Sequence, residues 1–489
     1  MSNRLENSKE KEQIRVDIGI VPSARGVSEE SSIKIFDEKR LRRKIDRLIL
    51  PFLMIIYGLQ FLDKTLLNYA GVMGIKDNLQ GNEFSNLGTI FYASYFAGEI
   101  IVSIMIQKFP IGRLLGCCVA LWGAIICFHA ATKQYAGLMV LRTLLGLFEA
   151  PVAPCLIAIT AMWWTKAEQA RRTCLWYMMI GVAQIIGSLI SFGFQHVKST
   201  NIASWQILFV FMGILTFLVG LLTIYFLPND PESCSFFTKD EKLATYEHVK
   251  VNNTGVKNKT YKPYQIKELL FQDKQTWILT LIMILVLIQN GAITNFTGII
   301  IASFGYSNQL ATLIQIPTGV VTVSCTLIAG YCTGKFGNRT LMIIVLCVPS
   351  LLGTILIVAL KEEQRVGRLF GVYLLNAIEP VIPIIYNWNS VNTSGYTKIT
   401  TRNALTLCAF CVGNMIGPQT FRETDAPNYI PAKITLIVLN GIIMLLCLVL
   451  RFIVKSENKK KQILEIGSDN SELDLDLTDI EKKSFLYID

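Results

Sequence analysis

Charged side chains are scarce in this chain. Asp, Glu, Lys and Arg make up 17% of its 489 residues, and the mean hydropathy is +0.44. Soluble proteins are usually about a quarter charged. The charges that are present concentrate in residues 1–47, 229–275 and 455–489. This distribution excludes an ordinary soluble domain. We also expect no nucleic-acid binding.

Histidine is also scarce, and this weakens any enzymatic interpretation. The three histidines, His129, His196 and His248, lie far apart in the sequence, whereas a catalytic or metal site needs several such groups together. Most of the twelve cysteines lie in apolar runs, where they behave as small hydrophobic side chains. We therefore expect no enzyme activity, no metal and no cofactor. A channel is disfavoured because no repeated filter or charged ring is visible.

Most of the chain outside the polar segments consists of long apolar runs. Residues 205–227, for example, contain no charged side chain. About 20 apolar residues in a helix cross the ~30 Å hydrocarbon core of a bilayer. The sequence predicts an all-α polytopic membrane protein with twelve transmembrane helices, at 50–70, 86–107, 114–132, 136–162, 173–195, 205–227, 276–301, 309–332, 340–360, 366–390, 402–421 and 432–454.

The polar segments divide these spans six and six. We predict two six-helix bundles joined by a linker with polar tails outside them: tail 1–47, bundle 48–228, linker 229–275, bundle 276–455 and tail 456–489. The first 47 residues lack the apolar segment of a signal peptide, so the first span is expected to act as the insertion signal. Basic residues at 39–47 and 451–461 flank the outermost spans, which predicts that both termini are cytoplasmic. The acidic segment 465–489 is expected to be a disordered extension.

The two halves of the chain resemble a repeat. A shift of 226 positions places Arg113 on Arg339, and Arg142 on Arg368. The same shift places the pair Asp63-Lys64 on Gln289-Asn290. One offset that relates three features in different spans favours two parallel bundles, as in transporters whose halves are related by an axis along the membrane normal.

Four segments carry a resemblance to a known family. They are QFLDKTLLNYAGVMGIKDNL (60–79), QKFPIGRLLG (107–116), RTLLGLFEAPVAPCL (142–156) and PQTFRETDAPNYIPAK (418–433). With six spans on each side of a polar linker, they resemble the major facilitator superfamily and, within it, the fungal allantoate permease family of organic-anion:cation symporters. One departure is Gly334, which stands where the superfamily pattern in the later gating loop has Asp. Arg113 and Arg339 remain as gating-loop candidates.

The resemblance implies a proton-coupled secondary active transporter that works by alternating access. It would import a small organic anion, such as a ureido acid, a vitamin or a related nutrient. The expected partners are that anion, protons and membrane lipid, and we expect a monomer in the plasma membrane. A nutrient sensor of the same fold, which would signal without accumulating its ligand, stays open as an alternative.

Charged residues inside the spans are the main functional candidates. Each costs at least ~2.5–3.5 kcal/mol on insertion scales, so such residues usually face a cavity or a partner. Arg142 and Glu149 are two helical turns apart on one face, whereas Asp63 and Lys64 are rotated by ~100°. We expect Lys64 and Arg142 to bind the anion, and Asp63 and Glu149 to carry protons. Buried structural ion pairs remain the alternative, as does, for Lys64, a side chain that reaches to the membrane interface.

Uncharged polar residues in other spans are expected to complete the site. The further candidates for substrate binding are Tyr92, Gln184, Gln289, Asn290 and Asn414. Weaker candidates, without an assigned role in chemistry, are Glu99, Glu379 and Asn389. Amide side chains also hold helices together in membranes, so each of these residues has a purely structural alternative.

Overall fold

The first half of the chain forms eight helices that supply six membrane spans. The computed structural model describes residues 38–197, 202–231, 233–250, 262–426, 428–464, 477–482 and 485–488. The helices of the first half are α1 (Glu38–Val72), α2 (Glu83–Lys108), α3 (Ile111–His129), α4 (Tyr135–Glu149), α5 (Val152–Trp163), α6 (Lys166–Tyr177), α7 (Met179–Gln195) and α8 (Ser204–Phe226).

The second half follows two linker helices. These linker helices are α9 (Lys239–Lys250) and α10 (Pro263–Phe271). The helices of the second half are α11 (Lys274–Ala302), α12 (Asn308–Leu313), α13 (Ile316–Phe336), α14 (Arg339–Ala359), α15 (Arg365–Leu375), α16 (Val381–Val391), α17 (Tyr396–Gln419) and α18 (Ile430–Leu464). Short 3₁₀ turns occur at Ile75–Asn78, Asn376–Ile378 and Glu423–Asp425.

Among the described residues, eleven helical segments are long and apolar enough to cross a membrane. The helix α17 occupies the place of the predicted span 402–421 but is more polar, since it carries Lys398 and Arg402. Both of these side chains are buried, and the helix packs against α11 and α2. Shielding by neighbouring helices allows a membrane helix to carry such polar side chains.

The face that each helix buries follows its sequence, as α8 illustrates. Phe211, Leu218 and Leu222 are exposed apolar side chains on one face of this helix, where lipid would surround them. Gly213 and Gly220 lie on the buried face, where α8 packs against α3. Small residues at such a face let two helices approach closely, as is common in membranes.

Two spans are interrupted at a proline. The span predicted at 136–162 breaks at Pro151, between α4 and α5, and the span predicted at 366–390 breaks at Pro380, between α15 and α16. Proline has no backbone N–H to donate and clashes with the preceding turn of a helix. Glu149 ends α4, and Glu379 directly precedes Pro380. Each interruption therefore holds a carboxyl group.

The two halves contact each other at the face opposite the start of α1, which we call the opposite face. Asn68 near the end of α1 donates to Gln315 (2.8 Å), and Gly298 donates to Asn68 (2.7 Å). Thr89 in α2 donates to the carbonyl of Met415 in α17 (3.0 Å). These contacts close the cleft between the halves at the opposite face.

A pair of glycines brings α7 and α13 together across the halves. A Cβ atom built on Gly181 would lie 2.7 Å from the carbonyl oxygen of Gly319. Side-chain atoms do not occupy such positions without a shift of the backbone. The contact thus depends on the absence of a side chain at Gly181.

The face where α1 begins and where the linker helices lie, here the terminal face, has ion pairs in both halves of the protein. Arg172 Nη2 lies 2.9 Å from Asp46 Oδ2 in the first half. Lys398 Nζ of the second half lies 2.8 Å from Glu268 Oε1 in linker helix α10. Lys398 is fully buried, and buried cations need such compensation.

The expectation of a disordered acidic tail is wrong for residues 477–482 and 485–488. Asp479 is buried and lies 2.9 Å from Lys398 Nζ, and Thr478 donates to Glu268 Oε2 (2.9 Å). Tyr487 donates to Asp479 (2.8 Å). Burial, and after it the negative charge of Asp479, raises the pKa of the Tyr487 hydroxyl. The hydroxyl therefore keeps its proton and remains a donor. The physical reason for the difference is that buried cations attract this acidic segment.

Candidate functional site

Two small cavities lie between the halves, and five of the candidate residues line them. The amide-lined cavity, of about 20 Å³, is lined by Phe61, Thr65, Asn68, Tyr69, Gln184, Ser188, Ile293, Thr294, Thr297, Gln315, Thr318, Asn376 and Glu379. The cationic cavity, of about 10 Å³, is lined by Lys64, Leu67, Gly88, Phe91, Tyr92, Arg142 and Asn295. Both are bounded by residues of both halves.

Lys64 points into the protein. Its Nζ atom lies 3.4 Å from Glu149 Oε1, and the exposed fractions of the two side chains are 13% and 0%. The same Nζ lies 5.2 Å from the ring centroid of Tyr95 and 5.8 Å from that of Phe410, within the range of cation–π attraction. Tyr95 belongs to the first half and Phe410 to the second. The ammonium group therefore contacts both halves.

Asp63 projects in a different direction from Lys64. Trp122 Nε1 donates to Asp63 Oδ2 at 3.2 Å, and both side chains are buried. The carboxylate also lies in the electrostatic field of Arg142 and of Lys64. The side chain of Arg142 is buried, with its Cζ atom 6.0 Å from the ring centroid of Phe209. Asp63 and Arg142 thus belong to one charged network.

This network has unused hydrogen-bonding capacity. In the part of the chain that the structure describes, Arg142 Nη2 and both carboxylate oxygens of Glu149 have no hydrogen-bond partner. An unsatisfied buried polar group costs about 1–3 kcal/mol, and more when it is charged. The charges of the two cations and two carboxylates cancel. Some of their hydrogen-bond donors and acceptors still have no partner, so a ligand or a proton can bind to them.

The second half contributes a separate carboxyl group. Asn290 Nδ2 donates to both oxygens of Glu379, at 2.8 and 2.9 Å. Across the amide-lined cavity, Thr322 donates to Gln184 Oε1 at 3.2 Å. Glu379, Asn290 and Gln184 are thereby brought to one region between the halves, and Tyr92 lines the neighbouring cationic cavity.

Four of the candidates that line neither cavity make other contacts. Gln289 accepts from Asn440 in α18 (2.9 Å), and Asn389 donates to Thr406 in α17 (2.7 Å). These two contacts tie helices within the second half. Asn414 donates to the carbonyl of Phe410 in its own helix (3.0 Å). Glu99 is buried in α2 and interacts with Tyr95.

The two gating-loop candidates lie at comparable places in the two halves. Arg113 lies in the first turn of α3, where its backbone N–H donates to Asn229 (3.0 Å). Arg339 is the first residue of α14, and its Nε donates to Asn387 (2.8 Å). Both contacts stay within one half or its adjoining loop.

Several residues around the cavities were not predicted from the sequence. Trp122 and Phe410 contact Asp63 and Lys64 respectively, but aromatic residues in an apolar span give no separate signal. Asn68 and Gln315 were detectable in principle, since both are amides inside spans. Their mutual hydrogen bond closes one end of the amide-lined cavity.

Comparisons with known proteins agree with this architecture. A model of the Major Facilitator Superfamily matches residues 53–418. A thiamine pathway transporter of Saccharomyces cerevisiae is 45% identical over 450 residues, which cover 92% of this chain and 86% of the relative. Allantoate permease of the same yeast is 34% identical over 472 residues, with coverage of 92% and 86%.

The fold also matches solved structures. A bacterial homologue of the human lysosomal transporter Spinster has a TM-score of 0.61 at 15% identity, with coverage of 84% of this chain and 96% of that one. Together these findings describe an integral membrane transport protein that is not an enzyme. The chain belongs to the major facilitator superfamily and, within it, to the allantoate-permease-like family of fungal transporters.

Proposed function

We propose that this transporter imports a small organic anion together with protons, by alternating access. One observation carries the proposal: Lys64 Nζ lies 3.4 Å from Glu149 Oε1 at a cavity that Arg142 also lines. Two cations at a cavity between the halves can hold a carboxylate, and a carboxyl group that already pairs with one of them can exchange that cation for a proton.

The coupling follows from charge balance. When Glu149 or Asp63 takes up a proton, Lys64 and Arg142 lose part of their compensation. An arriving anion replaces that lost negative charge, so protonation and anion binding favour each other. Arg142 is suited to the anion because its planar guanidinium matches a carboxylate with two parallel hydrogen bonds.

Alternation between the halves has a physical basis in the position of Lys64. Its ammonium group lies between Tyr95 of the first half and Phe410 of the second. A bound anion that neutralises Lys64 would change its attraction to both rings. Ligand occupancy would in this way affect how the two halves fit together, as a population shift requires.

The direction of transport rests on the orientation in the membrane. We place both termini in the cytoplasm, because basic residues flank the first and last spans. The opposite face, where the halves meet, is then extracellular. The plasma membrane is the location that suits an importer of nutrients.

The name of one relative supports an anionic substrate. Allantoate permease is named for the organic anion allantoate.

The test compares each carboxylate with its uncharged methyl ester. A panel of labelled small carboxylates, beginning with allantoate, is offered to cells that express the protein, and uptake is competed with the same acid and with its methyl ester. We expect the acid to compete at least tenfold better than the ester, and Arg142→Ala to abolish uptake. Equal competition by acid and ester, or a transported substrate that is purely cationic, would overturn the proposal.

A further inference from the structure

Glu379 is a buried carboxyl group in the wall of the amide-lined cavity. It lies where the span formed by α15 and α16 is interrupted, immediately before Pro380. Its exposed fraction is 3%. Asn290 on α11 holds both carboxylate oxygens from one side, at 2.8 and 2.9 Å. The amide therefore fixes the direction in which the carboxyl group faces the cavity.

No cation compensates this carboxyl group among the residues that the structure describes. Glu149, by contrast, has Lys64 at 3.4 Å, and Asp63 lies in the field of Arg142. In this part of the chain, the Glu379 carboxylate accepts two hydrogen bonds from one neutral amide. A buried carboxylate with only such a partner is costly unless a ligand supplies a positive charge or it binds a proton.

The remaining wall of the cavity is rich in acceptors. The hydroxyl groups of Thr65, Thr297 and Thr318 each donate to a carbonyl of their own helix, at 2.8, 2.6 and 2.6 Å. A hydroxyl has one hydrogen to donate, so these groups can only accept from a ligand. Asn376 Nδ2 likewise already donates to the carbonyl of Val372 (3.0 Å). A ligand group that donates several hydrogen bonds fits this wall.

We propose that Glu379, oriented by Asn290, binds the positively charged or N–H-donating end of the transported molecule. The chemical class is an ammonium, amidinium or protonated heterocyclic nitrogen. This inference rests on the proposed transport function and deepens it, because it adds a second recognition point to the same route through the protein.

The two cavities are neighbours along two helices. Lys64 and Thr65 are consecutive on α1 and line the cationic and the amide-lined cavity respectively. On α11, Asn295 lines the cationic cavity and the preceding residue, Thr294, lines the amide-lined cavity. We extend the proposal to one small molecule that, when the halves separate, places its carboxylate at Lys64 and Arg142 and its nitrogen at Glu379, so that the preferred substrate carries both groups.

The experiment uses three probes on the purified full chain. They are δ-aminovalerate, hexanoate, in which a methyl group replaces the amine, and pentylamine, which lacks the carboxylate. Binding is measured from the rise in thermal unfolding midpoint with probe concentration. We expect the wild type to bind δ-aminovalerate about tenfold or more tightly than hexanoate, as for a charge-assisted hydrogen bond. Glu379→Gln should remove this preference and retain hexanoate binding.

Two further variants separate a local effect from misfolding. Glu379→Asp keeps the charge and should retain part of the preference. Asp46→Asn, which removes a carboxylate that pairs with Arg172 away from both cavities, should retain it fully. A wild type without the preference, a preference that survives Glu379→Gln, or a protein that none of the three probes stabilises would overturn the inference. Pentylamine binding that depends on Glu379 would support the inference even if acid and methyl ester compete equally in the uptake assay, which is the result that defeats the anion proposal.

Discussion

Lys64 and Arg142 differ in how they can bind an anion. The ammonium group of Lys64 is a compact charge held between Glu149 and two aromatic rings. The guanidinium of Arg142 is planar, and its Nη2 has no hydrogen-bond partner among the described residues. A carboxylate ligand would therefore interact with Lys64 mainly through charge and with Arg142 through directed hydrogen bonds.

This difference predicts an asymmetry between conservative substitutions. Arg142→Lys should raise the apparent substrate Kd nearly as much as Arg142→Ala, by roughly ten- to a hundredfold, since two directed charged hydrogen bonds are lost. Lys64→Arg should have a milder effect than Lys64→Ala. Competition binding on the four variants measures both effects. An Arg142→Lys protein with the wild-type Kd would show that the guanidinium geometry is not used.

Charged residues that cluster in the structure were easier to identify from the sequence than neutral ones. Asp63, Lys64, Arg142 and Glu149 stand out because charge is rare in apolar runs, and the structure brings all four together. Gln289 and Asn290 look equivalent in sequence, yet adjacent helical residues are rotated by ~100°. Only Asn290 reaches Glu379, whereas Gln289 contacts Asn440. Which of the two residues reaches Glu379 depends on the neighbouring helices, and local sequence does not show which helices those are.

Helix contacts across the halves depend on small residues. In Gly181→Ala the new Cβ would lie 2.7 Å from the carbonyl oxygen of Gly319, and we expect this overpacking to destabilise the closed opposite face by about 1–3 kcal/mol. Hydrogen–deuterium exchange should then increase at the start of α2 and at the end of α17. The matched control is Gly193→Ala on the same helix, whose Cβ would meet nothing within 4 Å. Equal exchange in the two variants would contradict this account.

The packed C-terminal segment gives a second prediction for an element. Asp479→Asn removes the charge that lies 2.9 Å from the buried Lys398 Nζ, although Glu268 remains at 2.8 Å. We expect a loss of about 1–3 kcal/mol and a lower thermal unfolding midpoint of the purified protein. Glu362→Gln, at an exposed position, is the control. The same midpoint for both variants would show that the segment adds no stability.

The spans themselves were largely predictable, but their interruptions were not. Ten predicted spans begin within three residues of a helix or candidate membrane segment, because long apolar runs are visible without tertiary information. Hydropathy averages across Pro151 and Pro380 and joins the helices on either side of each proline into one span, so it does not reveal these breaks. The packed acidic tail was missed because its partner, Lys398, is distant in sequence.

Across the whole molecule, orientation in the membrane decides the direction of transport. We expect an epitope tag placed at either terminus to be inaccessible to antibody in intact cells and accessible after permeabilisation, because the basic flanks favour the cytoplasmic side. A tag inserted at exposed Glu362, in the turn between α14 and α15, is the control and should be accessible from outside. Labelling of a terminal tag in intact cells would reverse the proposed orientation.

The most direct test of the account is whether protons move with the substrate. In proteoliposomes that contain the purified protein and no initial pH gradient, addition of a transported carboxylate outside should raise the external pH. The change should disappear in Glu149→Gln and in Asp63→Asn, because an amide preserves the shape of the side chain but cannot take up the proton. Exchange of labelled for unlabelled substrate should persist in part in both variants. Substrate entry with no proton movement in the wild type, or unchanged proton movement in both variants, would contradict the proposed coupling.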